Sequence, residues 1–317
     1  MKSLIVNADD FGLTAGVNDG IIQAFREGIV TSTTLMANGD AFDDAIEKAR
    51  QIPGLDVGCH LVLTGGRPIA PPEKIPSLVT KNGYLPKSLV DVVTRVSAGF
   101  IRRQDIETEF RAQIDKIREA GIVPSHVDTH KHTHVHPKIM EAFFDAAFAC
   151  GILRVRKPFE RLPGGTHKSN GRRAHAHAND SNHGNHASHS GEKPLPPIGP
   201  LPKGDKLQRL LASLSGVSAP LFRRGLRAHE LKAPDYFLGI AVTGHMDAAV
   251  LQQMIENLPD GSSELMCHPG THDAQLEATG TRLTKSREIE LSALIDPGVR
   301  AAIRAAGVQL IPYRDLN

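Results

Sequence analysis

The sequence predicts an α/β fold, a (β/α) barrel of seven or eight parallel strands. Three observations carry that prediction. Short apolar runs alternate with helical patterns along most of the 317 residues, which is the rhythm of parallel βαβ units. The runs are continuously apolar, as expected when both faces of a sheet are covered. Seven or eight such units fit a barrel better than an open sheet.

Taken in order, Ser3–Asn7 (SLIVN) reads as a buried strand, and a helix follows over about Val17–Glu27. Ile29–Met36 is a second strand, with a helix near Phe42–Gln51 that Pro53-Gly54 stops. Leu55–Val62 is a third strand, two helices cover Leu89–Arg118, and Ile122–Thr129 is the next strand. Pro137 suits the first turn of a helix that runs to about Cys150. Leu153–Arg156, Tyr236–Ala241, Glu264–Cys267 and Val308–Ile311 complete the strands. The whole chain, 1–317, reads as one domain with one interruption. Residues 164–202 contain AHAHANDSNHGNHASHSG and PLPPIGPLP, too polar and too rich in Pro and Gly to bury a core. His167, His175, His177, His183, His186 and His189 in this insertion are expected to be solvated, with at most adventitious metal binding.

A formal net charge of +2 gives no reason to expect nucleic acid or an anionic membrane as the main partner. Trp is absent and aromatics make up 4%, which argues against base-stacking platforms. Three cysteines, Cys59, Cys150 and Cys267, are too few and too odd for a disulfide framework and suit a reducing compartment. MKSLIVNADDFG lacks the long apolar region of a signal peptide, and no run of 18 apolar residues suggests a transmembrane helix. The expectation is a cytoplasmic homo-oligomer that touches the inner membrane surface, if at all, through its substrate.

Four groups sit where barrel strands end, the place where such folds gather functional groups. Asp9-Asp10 follows SLIVN; adjacent carboxylates repel unless a cation or proton relieves them. Their plainer reading is a turn, since Phe11-Gly12 comes next. His60 ends LDVGCH, and alone it reads as a structural histidine. His126, Asp128, His130, His132, His134 and His136 alternate through HVDTHKHTHVHP. If that stretch stays extended, five imidazoles and a carboxylate share one face. The row would span about 33 Å, so one ion cannot reach all of it. One or two members at the strand end are candidate ligands, and the rest line a polar cleft or hold the ligands. His268 follows the strand in MCHPG, where Pro269-Gly270 is also ordinary turn chemistry. Together these Asp and His groups supply N and O ligands with open positions left for water, as a catalytic metal site requires.

NADDFG (Asn7–Gly12), GCHLVLT (Gly58–Thr64), HVDTHKHTHVHP (His126–Pro137) and MCHPG (Met266–Gly270) resemble, in order and spacing, the signature of the YdjC-type carbohydrate deacetylases. The likeness runs to the closing YRDL at Tyr313–Leu316. The resemblance implies a distorted TIM-like (β/α) barrel and metal-dependent removal of acetyl groups from N-acetylated sugars. It implies that Asp10, His60 and His130 hold one divalent ion, zinc or magnesium, with manganese, nickel or cobalt as alternatives. It makes Asp9 the general base and His268 the general acid or transition-state stabiliser, with His132, Arg156 and His245 lining the substrate cleft. GRPIAPPEKIPSLV (Gly66–Val79), the HKHxHxHP form of the row and TGHMD (Thr243–Asp247) are similar to the hopanoid-biosynthesis-associated subgroup. That points to an N-acetylglucosaminyl hopanoid glycolipid as substrate. Asp128 instead matches the chitooligosaccharide deacetylases, which are the alternative. A phosphoesterase would need a phosphate cradle, and no Gly-rich loop with Lys supplies one. A His-rich metal-handling protein is the rival of another class, and it predicts weak sites that vanish on deleting residues 171–191.

Overall fold

The ten-residue strand β1 (Lys2–Phe11) is the axis of the sheet, buried from Leu4 onward. The computed structural model describes residues 1–160 and 218–317. After β1 come α1 (Ala15–Glu27), β2 (Ser32–Leu35), α2 (Phe42–Arg50), β3 (Asp56–Leu61), α3 (Leu89–Ser97), α4 (Arg103–Glu119), β4 (Val127–Thr129) and α5 (Pro137–Ala149). A helix at 218–228 (α6) follows. The chain then forms β5 (Tyr236–Leu238), α7 (Ala248–Glu256), β6 (Gly261–Cys267), α8 (Ala274–Ala278), α9 (Ser286–Leu294), α10 (Pro297–Ala305) and β7 (Val308–Leu310). The histidine-rich insertion expected at 164–202 lies outside the described residues.

Seven parallel strands run in the order β4-β3-β2-β1-β6-β5, with β7 paired to β1. β6 lies along β1 from Lys2 to Ala8. The other edge is therefore shared, β7 beside Lys2–Leu4 and β2 beside Asn7–Phe11. The sheet curls into a half-barrel with helices packed around it, a distorted TIM-like barrel as the sequence predicts. The strand expected at Leu153–Arg156 shrinks to two isolated parallel bridges, Val127–Val155 and Arg154–Lys232. Pro158 has no N–H with which to continue the pairing.

The histidine row is where the fold departs most from expectation. It does not stay extended. β4 ends at Thr129, and His130–Val135 is a 3-10 turn in which Lys131 (φ 55°) and His132 (φ 52°) are left-handed. Thr129 closes the turn: its Oγ1 accepts the His134 N–H at 3.2 Å and lies 2.5 Å from His134 Nδ1. The alternation therefore does not place these side chains on one face. His134 is buried, stacked on Phe143 with ring centroids 4.6 Å apart. His136 caps the start of α5, its Nε2 3.1 Å from Ser97 Oγ.

His126 fills the barrel interior. Its ring stacks on Tyr313 at 3.7 Å, and its Nε2 and Nδ1 are 3.0 Å from Asn7 Oδ1 and 2.8 Å from Ser125 Oγ. Gly58 on β3 makes this possible, because a Cβ there would lie 2.5–2.7 Å from three atoms of the His126 ring. Overpacking of a filled interior costs about 1–3 kcal/mol. Gly58→Ala is therefore expected to lower the melting temperature of the purified protein by thermal unfolding, whereas Gly54→Ala, where a Cβ would meet only the Phe25 ring at 3.4 Å, is expected to cost less.

Candidate metal centre and active site

β1 and, across β2, the neighbours β3 and β4 end on the same rim of the sheet, and residues near those ends carry the chemistry. β1 pairs with β2 at Ala8↔Thr33 and again at Phe11↔Leu35, so β1 uses one residue more than β2 between the two pairs. The extra residue makes a bulge at Asp9–Asp10, where Asp10 has a φ of 71°. Asp tolerates this left-handed region better than most residues. In an unbroken strand the two carboxylates would face opposite ways. The bulge re-aims the second, and both come within reach of His60.

Asp10 Oδ1 lies 3.4 Å from His60 Nε2 and 3.2 Å from His130 Nδ1, and the two nitrogens are 3.2 Å apart. Oδ1 is buried and accepts no hydrogen bond. This triangle has the size of a ligand set: bonds of about 2.0–2.1 Å to zinc or magnesium separate neighbouring donors by about 3.0–3.4 Å. Charge points the same way. Among the described residues, the buried carboxylates of Asp9, Asp10 and Asp128 face the guanidiniums of Arg156 and Arg287 and the imidazole of His60. One divalent cation fits the donor triangle and a surrounding rich in carboxylate. The mixed N/O set suits zinc and, with added water, magnesium or manganese.

His60 is oriented for this role. It is the register partner of Asp128, and its Nδ1 lies 2.7 Å from Asp128 Oδ1. Thr34 donates its hydroxyl to Asp128 Oδ2 at 3.3 Å. Donation of Nδ1–H to a carboxylate leaves Nε2 free as a ligand. Burial opposes protonating His60, but the charges of Asp128, Asp10 and Asp9 outweigh it and raise the imidazole to about 10. A cation held by Nε2 would take the place of that proton.

Asp9 is held differently. Arg156 donates to both of its oxygens at 2.6 and 2.7 Å, and Asn7 Nδ2 adds a third bond at 2.9 Å. Burial works against the charge, yet the guanidinium holds this carboxyl far below the usual carboxylate range. Arg156, expected to line the substrate cleft, is instead fully buried beneath the site. It also bonds Asp128 Oδ2 (2.5 Å) and Glu264 Oε1 (2.7 Å) and lies over the Phe237 ring.

His268 sits beyond β6, 8% exposed, with Nδ1 buried, lacking a hydrogen bond and 4.0 Å from Glu290 Oε2. Burial pushes its imidazole down to about 4, against the pull of Asp9 and Asp10, so it is neutral near pH 7. His132 is half-buried, its Nδ1 also unpaired, with its ring edge-on to Phe237 at 5.7 Å. Burial, then Arg156, keep it neutral too, and Asp9 and His268 are among the charges it senses. His245 is exposed on the loop before α7, and no described contact joins its imidazole to the Asp–His cluster.

Sequence reading missed three participants. Glu264 lies inside the apolar run of β6, and a charged residue there was the available signal, since charges are rarely buried unpaired. Arg287 and Glu290 lie in TKSREIEL, which looks like an exposed helix. Only the fold shows both to be 1% exposed.

The model of the YdjC-like protein family matches residues 3–305. The chain belongs to that family. It is 32% identical over 312 residues to a carbohydrate deacetylase of Geobacillus stearothermophilus, covering 98% of this chain and 96% of the relative. It is 31% identical over 321 residues to a chitooligosaccharide deacetylase of Serratia marcescens, covering 99% of each. A crystal structure from Enterococcus faecalis V583, described as a candidate cellobiose-phosphate cleavage protein, superposes with a TM-score of 0.72. Its identity is 25%, over 99% of this chain and 98% of that one.

Two predictions follow from this YdjC-like geometry. His60→Ala and His130→Ala are each expected to abolish stoichiometric divalent-ion binding, measured by metal content after dialysis. Asp128→Asn, which weakens the support of His60 and the ion pair with Arg156, is expected to weaken it about 10–100-fold. The second concerns pH. Glu290 is raised to about 7 by burial, against the backbone N–H groups it accepts. The folded state thus binds this proton more tightly than the unfolded chain. The stabilisation is complete below about pH 4.5 and is lost as pH rises through 7. The melting temperature of Glu290→Gln relative to the unaltered protein is expected to be higher at pH 8 than at pH 5.

Proposed function

We propose that this chain is a metal-dependent N-deacetylase that releases acetate from an N-acetylglucosamine-containing substrate. The observation that carries this reading is the Asp10–His60–His130 triangle set beside an ionised Asp9 on the same strand end. The Geobacillus and Serratia relatives, a carbohydrate and a chitooligosaccharide deacetylase, support an acetylated sugar as substrate.

Asp10, His60 and His130 hold the ion. When bound, a divalent ion there supplies Lewis acidity to the acetamide carbonyl and to the attacking water. Asp9 accepts the proton of that water. Its basicity is low because Arg156 holds both oxygens, but the same clamp keeps it ionised and aimed. The proton it takes is then available to the departing amine. His268, neutral and with a free ring nitrogen, donates an N–H to the developing oxyanion. His132, above Phe237, contacts the sugar.

For the acceptor we take an N-acetylglucosaminyl hopanoid, supported by the likeness of Gly66–Val79 and Thr243–Asp247 to that subgroup. The first segment is a built part of the fold: Glu109 accepts the N–H groups of Ile69 and Ala70, both at 2.9 Å. Chitooligosaccharide is the competing acceptor.

General acid–base help is worth about 10²–10⁴ in rate. Asp9→Asn is expected to cut turnover about a hundredfold or more with the ion retained; near-normal turnover would show that the base lies elsewhere. Acetate release measured from the hopanoid glycolipid and from di-N-acetylchitobiose, each with and without chelator, tests activity and acceptor together. Chelator-sensitive release from the glycolipid alone is expected. Release from chitobiose alone reassigns the acceptor, and release from neither removes the substrate assignment.

A further inference from the structure

Helix α9 presents a buried guanidinium and a buried carboxyl on one face, Arg287 and Glu290, three residues apart and each 1% exposed. A buried polar group needs a partner, and both partners belong to the site. Arg287 donates Nη2–H to Asp10 Oδ2 at 2.6 Å and Nε–H to the Leu283 carbonyl at 3.0 Å, so its guanidinium is held along one edge, while Nη1 is buried without a hydrogen-bond partner. Gly270, in the turn after β6, leaves room for its stem: a Cβ there would lie 3.1 Å from Arg287 Cδ. Glu290 accepts the His268 N–H at 2.6 Å and the Gly244 N–H at 3.0 Å, joining the loops that follow β6 and β5.

The consequence for Asp10 is geometric. With Oδ2 taken by Arg287, only Oδ1 faces His60 Nε2 and His130 Nδ1. Asp10 also stands in a left-handed bulge with no regular strand pairing to hold it. Arg287 is the one described side chain outside the histidine pair that fixes its carboxylate.

We infer that Arg287 and Glu290 are a positioning pair, Arg287 selecting the Asp10 oxygen that meets the cation and Glu290 holding His268 in register with it. This rests on the metal site assigned above. Neither residue touches the reacting atoms, so they act through Asp10 and His268. Two effects compete at Arg287. Its charge repels a cation, whereas its hydrogen bonds pre-orient a ligand; the anchored double contact makes orientation dominant.

The test titrates chelator-treated protein with Zn²⁺ and with Mn²⁺ and reads the Kd of the tightest one-to-one site. Mn²⁺ is included because exposed histidine runs bind it less well than mixed carboxylate sites. Arg287→Leu is expected to weaken that site about 10–100-fold. Arg287→Lys, which keeps the charge but loses the planar fork, is expected to fall between Arg287→Leu and the unaltered protein. If Arg287→Leu does not fold, Arg287→Lys alone carries the test, with a Kd about threefold or more weaker expected. Glu290→Gln, with one acceptor oxygen in place of two, is expected to leave the Kd within about twofold and to lower kcat roughly tenfold at unchanged KM. Unchanged or tighter binding in a folded Arg287 variant overturns its positioning role, and unchanged kcat in Glu290→Gln overturns that of Glu290. Absence of any one-to-one site in the unaltered protein overturns the metal centre and this pair together.

Discussion

The buried guanidinium of Arg156 is the interaction on which the rest of this structure depends. It bonds carboxylates from three strands at once, Asp9 on β1, Asp128 on β4 and Glu264 on β6. Four unpaired charges in a barrel interior would cost several kcal/mol each. Gathered around one planar donor with a fork on two sides, they become a cross-brace. Lysine, a single point charge, has no such geometry. Tyr313 extends the brace by donating its hydroxyl to Glu264 and stacking on His126.

That brace decides how the two adjacent aspartates differ. Asp9 is clamped, ionised and unavailable for wide movement. Asp10, one residue on, is turned by the bulge toward His60 and His130 and held from behind by Arg287. One strand end thus presents a clamped carboxylate and a second carboxylate aimed at two imidazoles, a pairing that a regular strand with alternating faces cannot make.

The histidine motif shows how one sequence signal divides into unlike roles. His126 fills the core under Gly58, Asp128 orients His60, and His130 joins Asp10. His132 faces Phe237, while His134 packs on Phe143 and closes a turn with Thr129. The division follows from the backbone, because two left-handed residues after His130 end the period of two.

By itself, the sequence determined the class of fold and the strand-end identity of Asp9, Asp10, His60, His130 and His268. These are local properties: apolar runs, turn residues and motif spacing depend on neighbours along the chain. It also carried the family signature, which lies in contiguous motifs. The tertiary structure alone decided where the row of histidines turns, because that depends on Thr129 reaching back to His134 and on the packing beneath. It alone moved Arg156 from the cleft to the core and brought Arg287 and Glu290 inside. A charged residue on a helix reads as exposed until the helix is docked, and which of its faces is buried is a property of the neighbour it packs against.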